Sequence, residues 1–143
     1  GVVHKYLNKI SGPLLDRIDL HVEVTPVKLE DLSSKIAAEK SEAIRQRVIA
    51  ARLIQEQRFM NDEIHCNAQM GTKQTMKNCV LDNVSQQLLN TAMKRLGLSA
   101  RAYERIIRVA RTIADLDTCE SINVTHLAEA IQFRSLDRES WAA

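Results

Sequence analysis

Aromatic side chains are scarce: Phe, Tyr and Trp make up 3% of the 143 residues. That argues against the base-stacking platform of a single-strand-binding protein. Four glycines and two prolines are too few to turn the many hairpins of an all-β protein. No apolar run approaches the roughly 18 residues of a membrane-spanning helix, and no signal-peptide pattern opens the chain. Neither sign of charge dominates, since 20 basic and 18 acidic residues leave +2. Such a balance by itself implies neither nucleic acid nor a membrane surface. Cys66, Cys79 and Cys119 are odd in number and widely scattered, the usage of a reducing compartment and not of a disulfide framework. The expectation is a cytoplasmic protein with no membrane contact.

What is present favours helix. The chain is 45% hydrophobic and 27% charged, enough for one ordinary core, and is rich in Ala, Leu, Ile, Arg, Glu and Gln. Residues 3–10 read as a short amphipathic helix stopped by Ser11-Gly12-Pro13. Leu20, Val22 and Val24 alternate with His21 and Glu23, the period of a half-buried strand. No later segment offers it a pairing partner, and an unpaired strand leaves its backbone groups unsatisfied. Its sheet is therefore expected in sequence upstream of Gly1, and the chain reads as a piece of something longer. Without that sheet, residues 14–25 are expected to be mobile, to pack loosely over helices or to pair with another copy.

Residues 29–59 carry one helical stripe through Leu29, Leu32, Ile36, Ile44, Val48 and Ala51. Lys35, Lys40, Arg45, Arg47, Arg52 and Arg58 decorate it as a solvated surface, or alternatively as a face for DNA or a partner. Residues 61–72 have no period and form a loop, and residues 73–79 a short helix. Asp82 is placed as the N-cap of a helix with Val84, Leu88, Ala92 and Leu96 on one face, ended by Gly97. Ser99 caps a helix over 100–116 with Tyr103, Ile106, Ile107, Ala110, Ile113 and Ala114 inward. Thr125 caps a last helix with Leu127, Ala128, Ile131 and Phe133 inward. In the tail, Trp141 is an anchor or dangles. The core is expected at Ile36, Ile44, Val48, Leu88, Ala92, Ile106, Ile107, Ala110, Ile113, Leu127 and Ile131.

Several chemistries are excluded by missing motifs. There is no G-x-x-x-x-G-K-[ST], G-x-S-x-G, H-E-x-x-H or CxxC. His65, Cys66 and Cys79 do not have a zinc spacing, so no metal site is expected. Met60, Met70 and Met76 read as core gap-fillers. Two arginines remain. Arg17 lies at a turn between Asp16 and Asp19, where a local ion pair is the plainer reading. Arg101 lies in the first turn of the helix capped by Ser99, where a cation opposes the helix dipole. An arginine beside free helix N–H groups is well placed to hold phosphate, although a surface arginine is the commoner outcome.

The segment ISGPLLDRIDLHVEV at residues 10–24, preceded by Tyr6, resembles the end of the AAA+ core in magnesium-chelatase-like ATPases. Within that family it is closest to the competence-associated ComM/YifB group. CNAQM at 66–70, RLGLSARAYERIIRVARTIADLD at 95–117 and HLAEAIQFRSLDR at 126–138 resemble the same group's C-terminal region. The resemblance covers most of the chain.

It implies a mainly α fold: a helical bundle, the AAA+ C-terminal lid, preceded by an orphan helix-turn-strand from the α/β core. Residues 1–25 would be the end of the core and 26–143 the lid. Arg17 takes the place of the arginine finger and Arg101 that of the sensor-2 arginine, which also contacts nucleotide. ATP and magnesium would be cofactors of the full-length protein and of no use to this piece alone, which lacks the P-loop and the acidic metal motif. The partners implied are further copies in a homo-oligomeric ring, taken as a hexamer. DNA, remodelled or branch-migrated during competence and recombination, is implied by resemblance only. Two alternatives stand beside this reading: the ATPase subunit of a magnesium-porphyrin chelatase, and a helical interaction domain with no link to nucleotide. The forms RIDLHVEV and SARAYERI stand closer to the competence group.

Overall fold

The computed structural model describes residues 12–22, 24, 26–27 and 38–134. Six helices lie among them: α1 (Gly12–Leu15), α2 (Ser41–Arg58), α3 (Thr72–Asn78), α4 (Asn83–Leu96), α5 (Ala100–Leu116) and α6 (Val124–Gln132). A 3₁₀ turn, Asn67–Gln69, interrupts the loop after α2. The fold is mainly helical, as expected.

Helix α5 is the axis. Ala102, Ile106, Ile107, Ala110, Ile113 and Ala114 recur along it and are all buried. A stripe that wide needs cover on more than one side. α2, the 3₁₀ turn, α3 and α6 pack on α5, and α4 packs on α6. Phe59, Met70, Cys79, Leu89, Ile122, Leu127 and Ala130 complete the core. Leu88 and Ile131 pack against it half-buried.

The helix ends show how the chain sets its own boundaries. The Asp82 carboxylate accepts the Ser85 N–H at 2.7 Å, and Ser99 Oγ accepts the Ala102 N–H at 3.2 Å. Gly97 ends α4 in the left-handed region, φ 60. These three caps agree with the sequence. The cap of α6 does not: Asn123, not Thr125, holds that place. Its Oδ1 accepts the N–H groups of Thr125 (3.0 Å) and His126 (3.1 Å), while His126 Nδ1 accepts the Asn123 N–H at 3.2 Å. Asn caps as well as Thr does, and the reciprocal bond decides between them. α5 ends at a residue that sequence reasoning did not single out. Thr118 has φ 55, its N–H donates to Asp115 at 3.1 Å, and the Cys119 N–H reaches back to Ala114 at 2.8 Å. This is a Schellman closure with threonine in the place usually taken by glycine.

Other expectations need correction. The helix expected over 29–59 starts at Ser41, because Lys40 is extended (φ −71, ψ 140). Leu29, Leu32, Lys35 and Ile36 lie outside the described residues. Ile44 and Val48, placed in the core, are 44% and 47% exposed. The first ten residues of α2 are all exposed, and burial begins only at Ala51 and Gln55. No described element covers the earlier turns. In α4 the inward residues are Ser85, Leu89 and Ala92, and Val84 is exposed; the small Ser85 faces the core where Val84 was placed. Met70 is buried, but Met60 and Met76 are exposed and fill no gap.

Pro13 sits in the first turn of α1, where its missing N–H is no loss. The helix over 3–10, Tyr6, and the tail with Trp141 lie outside the described residues. Residues 20–22 and 24 form no strand, and no sheet occurs among the described residues. Instead the His21 N–H donates to the Phe133 carbonyl at 2.8 Å, so this segment is laid over the end of α6. Leu20, Val22 and Val24 are exposed and His21 is buried, the reverse of the alternation read as a half-buried strand.

Candidate functional site

Arg17 lies in the turn after α1. Its N–H donates to the Leu14 carbonyl at 3.0 Å and that of Ile18 to Leu15 at 3.0 Å, so the turn is closed by its own backbone. The Arg17 side chain is exposed. The local ion pair considered from sequence is not made. Asp19 pairs with Arg105 of α5, and Asp16 stands 4.0 Å from the Arg134 guanidinium. Both flanking carboxylates face other cations. Among the described residues no hydrogen bond or ion pair occupies the Arg17 side chain.

Arg101 is likewise exposed, in the first turn of α5. The side chain of Ser99 takes the Ala102 N–H, and its carbonyl takes that of Tyr103. The N–H groups of Ala100 and Arg101 precede the first intrahelical bonds and point along the axis. No hydrogen bond or ion pair holds the Arg101 guanidinium among the described residues. The two arginines share no bonded partner. What links their elements is Asp19–Arg105, since Arg105 stands one turn beyond Arg101 on the same helix.

A second polar constellation was not foreseen. Asp115, fully buried on α5, accepts from Arg58 of α2 (Nη1, 2.8 Å, with a second bond from Nη2), Asn67 (2.7 Å) and Arg111 (3.1 Å). Arg111 also donates to the carbonyls of Cys119 (2.6 Å) and Glu120 (2.7 Å), closing the chain after α5. Asn67 donates its side-chain N–H to Thr112 at 3.1 Å, and its backbone N–H goes to Gln55 at 3.2 Å. A buried carboxylate with two guanidiniums and an amide is satisfied on both oxygens. This hub joins α2, the 3₁₀ turn and α5. Arg58, read from sequence as a surface base, belongs to it. The available signal was Asp115 standing four residues from Arg111 beside an apolar stripe.

Nearby, burial pushes the Cys79 thiol up to about 11, with Arg111 and Arg58 acting weakly the other way. A thiol so placed is inert at neutral pH. His65 is exposed and Cys66 half-buried. No group of three or more His, Cys, Asp or Glu side chains that could hold a metal occurs among the described residues. Arg17 and Arg101 are among the exposed guanidiniums without a bonded partner in the described residues, as are Arg45, Arg52 and Arg95. Among the described residues no helix is long and apolar enough to cross a membrane.

Comparison with known proteins identifies the family. Residues 38–134 match the family model described as magnesium chelatase, subunit ChlI C-terminal. Residues 2–32 match the one described as magnesium chelatase, subunit ChlI. The uncharacterized protein YifB of Salmonella typhimurium is 39% identical over 136 residues, covering 94% of this chain and 26% of that protein. The competence protein ComM of Haemophilus influenzae is 39% identical over 137 residues, 95% of this chain and 26% of its own length. An uncharacterized protein of Mycobacterium bovis is 34% identical over 130 residues, 91% of this chain and 26% of its own. The chain thus spans about a quarter of the length of the curated relatives it matches.

Proposed function

Because the chain belongs to the magnesium chelatase family, subunit ChlI, we propose that it is the helical lid and arginine-finger turn of a ring-forming ATPase. In this reading residues 1–25 end an AAA+ core and 26–143 form its lid. Arg17 is the arginine finger, reaching a phosphate held by a neighbouring copy. Arg101 is the sensor-2 arginine that answers to bound nucleotide. ATP with magnesium supplies a γ-phosphoryl group whose negative charge spreads as transfer proceeds. A planar guanidinium meets such oxygens in pairs, which lysine cannot do.

The observation that carries the reading is where two open guanidiniums stand: one in a turn between aspartates, one at a helix N-terminus. Arg17 stands between two aspartates and pairs with neither, because Arg105 and Arg134 face them instead. Arg101 stands at a helix N-terminus where it gives no help to the helix. Exposed cations left open in this way are suited to a ligand that arrives from outside. The likeness to the competence protein ComM supports a part in competence; in this reading the ATPase is cytoplasmic, works as a homo-oligomeric ring and is coupled to DNA remodelling or branch migration.

The test uses a polypeptide that joins this chain to a nucleotide-binding core. Arg17→Ala is expected to lower ATP turnover by about 10³-fold, and Arg101→Ala to lower it as well. Full turnover in both variants refutes the assignment. A second reading, the ATPase subunit of a magnesium-porphyrin chelatase, is favoured by the description of both matching family models. It predicts that turnover responds to a porphyrin-binding partner and not to DNA.

A further inference from the structure

The turn that carries Arg17 has little apolar cover. Leu14, Ile18 and Leu20 are between 40% and 48% exposed, and a cavity of about 320 Å³ lies between the turn and the bundle, lined by Asp19, Leu20, Ala68, Arg108, Val109 and Phe133 among others. Of residues 18–22 only His21 is buried, 5% exposed, so polar links do much to place the segment. Among the described residues these include three. Arg134, at the end of α6 and 1% exposed, sends one Nη to the carbonyl of Ile18 and the other to that of Leu15 at 3.5 Å. Asp19 pairs with Arg105. The His21 N–H binds the Phe133 carbonyl.

We propose that Arg134 is a positioning residue for Arg17: its buried guanidinium grips the carbonyls on both sides of the turn and aims the finger from the lid. Asp19–Arg105 is the second link, tying the same turn to the helix that carries Arg101. The claim that the aim serves ATP turnover rests on the function proposed above.

The chemistry suits the residue. The Leu15 carbonyl already takes the Ile18 N–H, and its second lone pair is open to the guanidinium. A guanidinium offers five N–H groups in a fixed fork and can bind two carbonyls at once, whereas an ammonium is a point donor. A cation buried this far must be met by acceptors. Asp16, at 4.0 Å, adds opposite charge. The same arrangement explains why Arg17 is left unclaimed: each aspartate beside it faces a cation of the lid.

Two measurements test the proposal separately from the function. On this chain, Arg134→Gln is expected to speed amide exchange at Ile18 and His21 while Ile106 and Ile107 of α5 keep their protection. Unchanged exchange at Ile18 and His21 overturns the clamp. If Arg134→Gln also opens α5, the half-exposed pair provides the second variant. Arg105→Gln should then loosen His21 with α5 intact, and a failure to do so overturns the proposal. In the polypeptide with its nucleotide-binding core, Arg134→Gln is expected to cut kcat for ATP by about 10- to 100-fold at unchanged KM. On an Arg17→Ala background it should cut nothing further. An equal fall with and without Arg17 shows a merely structural role and overturns it. If Arg17→Ala itself leaves turnover intact, the proposed function falls, and exchange alone decides the clamp.

Discussion

Asp115 shows how much one side chain can hold. It is fully buried and takes donors from Arg58, Asn67 and Arg111, so removing its charge strands guanidiniums in the interior. Asp115→Asn keeps the shape and one acceptor oxygen but leaves Arg111, 2% exposed, without its counter-ion. We expect a loss of about 3–5 kcal/mol, read by urea denaturation. Arg47 with Glu39 is the contrast: both are exposed, and replacing either is expected to leave the denaturation midpoint unmoved. At this scale the sequence was legible for apolar positions on α5 and poorly legible for polar ones. Composition shows that Asp115 is charged. It does not show that two arginines and an amide from distant segments converge on it, because those contacts span up to 57 positions.

For whole elements, caps were easier to read than extents. Asp82, Ser99 and Gly97 announce themselves by residue type. The start of α2 does not, since the apolar stripe continues upstream of Ser41 through Ile36 and only backbone geometry at Lys40 marks the break. Thr118 was not legible because threonine rarely adopts positive φ; it does so here while Arg111 holds the following carbonyls. Thr118→Gly should relieve that strain and stabilise the protein by about 1 kcal/mol, visible as a raised Tm. Asp82 makes the cap of α4 sensitive to acid. The backbone N–H of Ser85 holds its carboxyl below the ordinary 3.8. Its contribution is therefore complete above that unfolded value and is lost as pH falls through the lower folded one. Asp82→Asn, which can still accept the N–H, should keep the helix and flatten this part of the acid limb in pH-dependent thermal melts.

On the scale of the whole molecule, the helical class followed from composition and periodicity. The relation of the Arg17 turn to the bundle did not. A five-residue alternating run reads as a strand wherever it stands, and only the absence of any second such run said that it lacked a sheet. Its docking on Phe133 and Arg134, more than a hundred positions away, is a property of the folded chain. The missing G-x-x-x-x-G-K-[ST] motif gives a direct expectation: this chain by itself shows no ATP turnover above background in a phosphate-release assay, and adding magnesium changes nothing. Turnover by the chain alone would remove the basis of the proposed function.

The bare first half of α2 has a consequence of its own. Ten residues at about 1.5 Å each make a stem roughly 15 Å long whose backbone bonds meet solvent, while its last turns are pinned through Gln55, Arg58 and Phe59. Deuterium should therefore enter this helix as a wave, early at Ile44 through fraying and at Phe59 only when the bundle itself comes apart. A single helix would then serve as a clock with both a second hand and an hour hand.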